Sequence, residues 1–293
     1  MILMKKSIFK HVFVTLVFVI SVFQAFANEK EENSLLWKIS GKGLKENSYL
    51  FGTIHIICKD QFYMNDKIEK ALESSKVLAM ELNMADPNLM TEMQQLSVNP
   101  GFANIKGEFS AEQAAALDKL LKDSYGAGLD QLGILKPFIL SSMVMVKMLP
   151  CTEQSSYEMF FTEKAKSQEK TVKGLETVAF QMGVFDQIPQ KLQIDELGKM
   201  VANQEGVEEF EKLVGAYLDQ DVDKLYELIS DNEMFQEYGD LLLENRNESW
   251  IPKIEELVKE QATFIAVGSG HLGSETGVIA LLRKAGYTVE AVK

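Results

Sequence analysis

The chain is short of several residue types, and each shortage narrows what it can do. In 293 residues it carries two cysteines, six prolines, two tryptophans and three histidines. There is no Cys-x-x-Cys, no His-Glu-x-x-His, no Walker phosphate loop and no Gly-x-Ser-x-Gly, so four common catalytic or binding plans are excluded by inventory. Basic residues are also few, 30 Lys and Arg against 43 Asp and Glu, for a formal charge of −13. That balance argues against nucleic acid or an anionic membrane surface as a partner. It suits an acidic solubilising surface, or one that receives a basic peptide. No low-complexity tract or Pro/Gly-rich linker marks a domain boundary. Beyond residue 28 no apolar run approaches the roughly 20 residues that span a bilayer. The nearest, Phe138 to Leu149, is interrupted by Lys147 and reads as a buried helix.

What is present begins with the marks of export. Lys5, Lys6 and Lys10 precede the apolar run Val12 to Phe23, and Ala25-Phe26-Ala27 then supplies a small-x-small cleavage pattern. Residues 1–27 are therefore expected to be a signal peptide, leaving 28–293 periplasmic or secreted with no stable membrane span; a retained anchor is the alternative. Cleavage removes three lysines and no acids, taking the formal charge from −13 to −16. The remainder suffices for one large α/β domain or two small ones and can bury a core without disulfides. In an oxidising compartment Cys58 and Cys151 are candidates for a disulfide, which across so long a loop would contribute about 4 to 5 kcal/mol in the chain-entropy model. The alternative, Cys58 as a thiolate metal ligand close after His55, lacks a second nearby cysteine pair.

Both ends of the expected mature chain follow one plan. Leu35 to Ser40 and Tyr49 to Ile54 read as a hairpin, the second strand running into Gly52-Thr53-Ile54-His55, followed by a helix capped at Asn65 or Asp66 and a strand Val77 to Leu82 that contains Glu81. At the other end Thr263 to Val267 is a β-rich run, then come Gly268-Ser269-Gly270-His271, a helix Val278 to Ala285 stopped by Gly286, and a strand Tyr287 to Val292. The fold class expected is mixed α/β: two strand–Gly-x-x-His–helix–strand units sharing a central sheet, with both histidines at one edge. Between them Ser110 to Gln113 is a capping box, Pro137 opens a helix, Tyr157 to Ser167 is helical, and Thr171 to Leu175 is a strand ending at Glu176. Pro189 to Val258 reads as a helical, acidic insertion about the sheet, so one composite domain over 28–293 is expected.

Of the three histidines, His11 falls in the signal segment and the other two both close a Gly-x-x-His. Alone each motif is weak; as a symmetrical pair they point to a metal or general-base site, because neutral imidazole is the commonest transition-metal ligand. Two histidines leave a divalent ion short of ligands, so a strand-end carboxylate is required. Glu81, after four apolar residues, is the first candidate and Glu176 the second. Arg246, with Asn247 and Trp250 in an acidic helical stretch, could steady an oxyanion or anchor a substrate, or be a surface ion pair. Met143, Met145 and Met148, with Met80, Met84, Met90 and Met93, suit either a core or an adaptable apolar groove.

Taken in order, Phe51 to His55, the Glu81 strand, Lys173-Gly174-Leu175-Glu176-Thr177 with Gln181, Arg246-Asn247 with Trp250, and Val267 to His271 resemble the TraB/GumN family, which includes the Tiki proteases. The resemblance spans nearly all of residues 28–293. It implies a mixed α/β fold related to erythromycin esterase and ChaN-like proteins, and a divalent-metal-dependent peptidase using Mn, Co or Zn. By position it implies His55, His271 and Glu81 at the metal, with Glu176 and Arg246 in the site and a peptide or protein terminus as substrate. Glu158 stands where many relatives carry aspartate. Two other readings remain open: a metal-independent His/Glu esterase, and a non-catalytic peptide- or pheromone-binding protein.

Overall fold

A six-stranded mixed sheet organises the chain in the computed structural model, which describes residues 33–202 and 205–293. The expected signal segment lies outside the described residues. β1 (Leu36–Ser40) and β2 (Ser48–Thr53) form the expected antiparallel hairpin, with Leu36 opposite Phe51. The turn is built on Gly41 and Gly43, whose φ values of +80° and +79° favour residues without a Cβ. β3 (Ile57–Cys58) and β5 (Gln154–Ser155) make a separate two-residue ladder that the sequence did not announce.

The remaining strands are β4 (Val77–Met80), β6 (Thr171–Gly174), β7 (Thr263–Gly268) and β8 (Thr288–Ala291), giving the order β6-β4-β7-β2-β1-β8. β6, β4, β7 and β2 are parallel, while β1 runs against both β2 and β8. The two Gly-x-x-His units thus share one sheet but do not sit side by side. They interleave: β7 enters between β4 and β2, and β8 closes the hairpin's far edge. β4 and β7 read as continuous apolar runs because both faces are covered, as parallel strands require.

Helices fill the intervals. α1 (Asp66–Ser74) is capped by the Asn65 side chain and buries Ile68, Ala71 and Leu72. α2 (Leu89–Leu96) follows, then α3 (Ala111–Tyr125), which starts with the expected Ser110/Gln113 capping box and ends at Gly126. Next come α4 (Leu129–Leu132), α5 (Pro137–Met148, proline in its first turn), α6 (Tyr157–Ser167) and α7 (Val178–Asp186). After them run α8 (Gln190–Ala202), α9 (Glu205–Leu218), α10 (Val222–Ser230) and α11 (Glu233–Gly239). A π-helical turn, Asp240–Glu244, then leads into α12 (Asn245–Glu260), and α13 (Val278–Lys284) precedes β8. No strand interrupts the described part of 189–258.

The main core lies on the sheet, where Phe161 packs edge-on to Phe51 at 5.6 Å and against Phe264 at 5.1 Å. A second core joins α3, α5 and α8 through Leu117, Leu121, Leu140, Val144 and Leu197. The methionines divide between clusters instead of lining one groove. Met80 lies in the sheet core, Met93 packs beside Leu89 and Met182, and Met143 and Met148 belong to the α3–α5–α8 core. Met90 and Met145 are exposed. Among the described residues no helix is long and apolar enough to cross a membrane.

Candidate active site

Four adjacent parallel strands end at one edge, and each delivers a residue singled out by the sequence. β2 leads to His55, β7 to His271, β4 to Glu81 and β6 to Glu176. Register levels them: Thr53 lies opposite Gly268, and Met80 lies opposite both Ala266 and Gly174. Beyond the last pairs the Glu176 N–H donates to the Glu81 carbonyl at 2.8 Å, keeping the two acids side by side. The carboxyl edge of a parallel sheet is where such folds place ligands.

The two motif glycines do different work. A Cβ on Gly52 would stand 2.7 Å from Leu272 Cδ1 and 3.1 Å from Ser269 Cβ, so glycine there lets the turn after β7 lie on β2. A Cβ on Gly268 would stand 3.2 Å from Glu81 Oε1 and 3.9 Å from His55 Nε2. The Gly268 N–H also donates to Glu81 Oε1 at 2.9 Å. Gly268→Ala should therefore push the carboxylate aside and destabilise the fold by about 1–3 kcal/mol, measured by urea unfolding; no change would mean the site is looser than this packing.

Each histidine is held by its Nδ1. His55 Nδ1 lies 2.9 Å from Glu158 Oε1 and, because a carboxylate accepts, donates to it. His271 Nδ1 lies 2.6 Å from Asn247 Oδ1, and its Nε2 lies 3.2 Å from Arg246 Nη1. A guanidinium has no acceptor, so His271 Nε2 carries the lone pair and Nδ1 the proton. Trp250 packs against the His271 ring at 4.5 Å. Neither the Glu158 nor the Asn247 pairing was foreseen, since they span separations of 103 and 24 residues.

Arg246 enters on α12, where Arg246, Trp250, Ile254 and Val258 recur every fourth residue on the buried face. All five guanidinium N–H groups find acceptors. Nε donates to Glu176 Oε1 at 2.8 Å, and Nη2 to Glu81 Oε2 at 2.7 Å and Glu176 Oε2 at 2.9 Å. Nη1 serves His271 Nε2 and the Leu242 carbonyl, the latter at 3.0 Å in the π-helical turn. Trp250 Nε1 adds 2.9 Å to Glu176 Oε1, and Gln181 Nε2 reaches Glu81 Oε2 at 3.0 Å. Arg246 thus has no N–H left over for a substrate carboxylate or oxyanion. It is a buried organiser, not the surface ion pair that spacing alone allowed.

Burial opposes ionisation of Glu81, but the charges of His271, Arg246 and His55 and the Gly268 N–H outweigh it and hold the pKa at about 2. For His271, burial dominates, and despite the Glu81 charge it lowers the pKa from 6.5 to about 3. His271 is therefore neutral near pH 7, which leaves Arg246 as the chief counter-charge to Glu81 there. His55 sits at the mouth with 70% of its side chain exposed. Desolvation by surrounding protein atoms works against its charge, but the Glu158 hydrogen bond and charge, with that of Glu81, raise its pKa to about 9. Solvent around so exposed a ring screens the more distant charges, so the direct Glu158 bond matters most.

The sign of the pH effect from His271 follows. Unfolded, it takes up a proton below about pH 6.5; folded, it does so near pH 3, so its contribution is complete above 6.5 and lost as pH falls. Metal-free protein should lose up to about 1.4 kcal/mol per pH unit across that window. His271→Gln should flatten the slope of urea-unfolding free energy against pH; an unchanged slope would assign it to other groups.

Cys58 and Cys151 are joined in a disulfide, with Cα atoms 5.8 Å apart, which removes the thiolate-ligand alternative for Cys58. The bond lies beside the β3–β5 ladder and ties the loop after His55 to the segment that leads to Glu158.

The model of the TraB/PrgY/gumN family matches residues 35–291. The chain belongs to the TraB/PrgY/gumN family. No curated protein and no solved structure matches it significantly. The match covers every element of the sheet, so the edge where the four parallel strands end is part of the TraB/PrgY/gumN domain itself.

Among the described residues no three acidic, His or Cys side chains are already closed around one point. His271 Nε2 is 3.9 Å from Glu81 Oε1, against the ~3.4 Å expected between two ligands of a tetrahedral ion at about 2.1 Å, and Arg246 rests against both groups. The donor chemistry nevertheless fits a divalent cation. Both imidazoles have Nδ1 bonded to an oxygen, the arrangement that directs Nε2 to a metal, although His271 Nε2 would exchange its Arg246 hydrogen bond, and His55 Nε2 its proton, for the ion.

Proposed function

We propose that this protein is an exported divalent-metal-dependent hydrolase acting on peptides or exposed protein termini, with His55, His271 and Glu81 holding the ion. The observation that carries the reading is the pair of imidazoles with tethered Nδ1 atoms, gathered with Glu81 around Gly268. A Mn, Co or Zn ion bound there supplies an acidified water and polarises a scissile carbonyl. The chain's own residues do the rest. Arg246 keeps Glu81 ionised and level with Glu176, Asn247 fixes the His271 tautomer, and Glu158 holds the His55 ring through Nδ1. The peptide class rests on the resemblance to the Tiki proteases. Export is supported by the Cys58–Cys151 bond, which persists in oxidising compartments.

The test is elemental analysis of purified protein after metals are offered and the excess removed. Wild type should retain one transition-metal ion per chain, and a folded His55→Ala/His271→Ala variant none; a wild type that retains none sinks the proposal. One feature favours a second reading, a metal-independent esterase: His55 and Glu158 form a carboxylate–imidazole pair whose ring is exposed at the mouth. Ester hydrolysis that survives a chelator and is lost in His55→Ala would select it.

A further inference from the structure

Glu158 lies on α6, in neither Gly-x-x-His unit, yet more donors converge on it than a solvated carboxylate needs. Its Oε1 accepts from Thr53 Oγ1 at 3.0 Å and from His55 Nδ1 at 2.9 Å. Its Oε2 accepts from Ser156 Oγ at 2.9 Å, and Ser156 in turn caps α6 through the Met159 N–H. The side chain is only 18% exposed, although the ring it holds is largely in solvent. Thr53 is the last residue of β2 and fully buried, so the carboxylate is fixed to the sheet as well as to its own helix. The β3–β5 ladder and the Cys58–Cys151 bond close the same junction from the other side.

From this geometry we infer that Glu158 is the positioning residue for His55: it fixes the ring through Nδ1 so that Nε2 faces Glu81 and Gly268. The inference rests on the proposed metal reading for its consequence, though not for the contact itself. His271, buried and packed at a tilt against the Trp250 ring, is held by packing in addition to Asn247, whereas the exposed His55 ring depends on Glu158. Removing an oxygen partner of this kind typically weakens metal affinity 10–100-fold. Shortening the side chain by one methylene, as in Glu158→Asp, should retain part of it.

Two measurements test this. In the metal-free protein, the His55 Nδ1 proton should give a low-field NMR signal that disappears in Glu158→Ala. In Zn²⁺ titrations against a competing chelator, Glu158→Ala should bind 10–100-fold more weakly than wild type, Glu158→Asp should lie between them, and Glu158→Ala should add nothing in a His55→Ala background. A Glu158→Ala variant that keeps both the signal and the affinity overturns the inference, as does a loss of affinity that persists undiminished without His55. If the signal is lost as expected but wild type binds no Zn²⁺, Glu158 still positions His55 and the metal reading is what fails.

Discussion

Arg246→Met is expected to destabilise the folded protein by about 3–5 kcal/mol, the cost of leaving buried charge unpaired. Against the roughly 5–15 kcal/mol that holds a typical domain folded, this is a large share. The size follows from what the side chain does. Glu81 and Glu176 are both buried, both accept from this one guanidinium, and their strands are held level by a backbone hydrogen bond. Without it the two acids face each other with only Gln181, Trp250 and the Gly268 N–H between them and bare burial. Arg246→Lys restores the charge but brings at most three donors to five acceptors, so it should recover part of the loss. Urea unfolding of metal-free protein measures all three; a methionine variant within about 1 kcal/mol of wild type would show that the acids relax by other means.

Breaking the Cys58–Cys151 bond should be nearly as costly. The cysteines are 93 residues apart, and closing a loop of that length contributes about 4.7 kcal/mol in the chain-entropy model. The ladder it supports has two residues per strand, too short to hold by itself. Cys58→Ser/Cys151→Ser, or wild type in excess dithiol, should therefore unfold at markedly lower urea. On the proposed metal reading it should also retain metal less well, because the bond secures the junction at which Glu158 meets His55. A shift in stability with metal retention unchanged would separate the bond from the site.

Much of this arrangement was legible in the chain. The hairpin, the strands that end in Gly52 to His55 and Gly268 to His271, the capped helices at Asn65 and Ser110, and the acids after Met80 and at Glu176 all follow from period, capping and punctuation, which are local. The pairing of Cys58 with Cys151 came from counting. What was not legible is non-local. Nothing near Glu158 marks it as the partner of His55, since the helix start it occupies would suit any acid. Arg246 could be suspected of meeting a substrate because its neighbours in sequence are charged; only the fold shows its five N–H groups committed inward. Strand order escaped for the same reason, because the similarly apolar runs of β4 and β7 fit a sheet in which they are neighbours or one in which they are apart.

The order of the strands also dictates when the molecule can be finished. β7 occupies the middle of the sheet, although it lies near the end of the chain, and β1 cannot gain its outer neighbour until β8 exists. A nascent chain released before Thr263 would hold β4 and β2 with a gap where their common neighbour belongs, and neither His271 nor the Gly268 N–H to meet Glu81. Assembly of this edge is thus coupled to completion of synthesis, and a truncated product would carry exposed strand edges in place of a partly formed site.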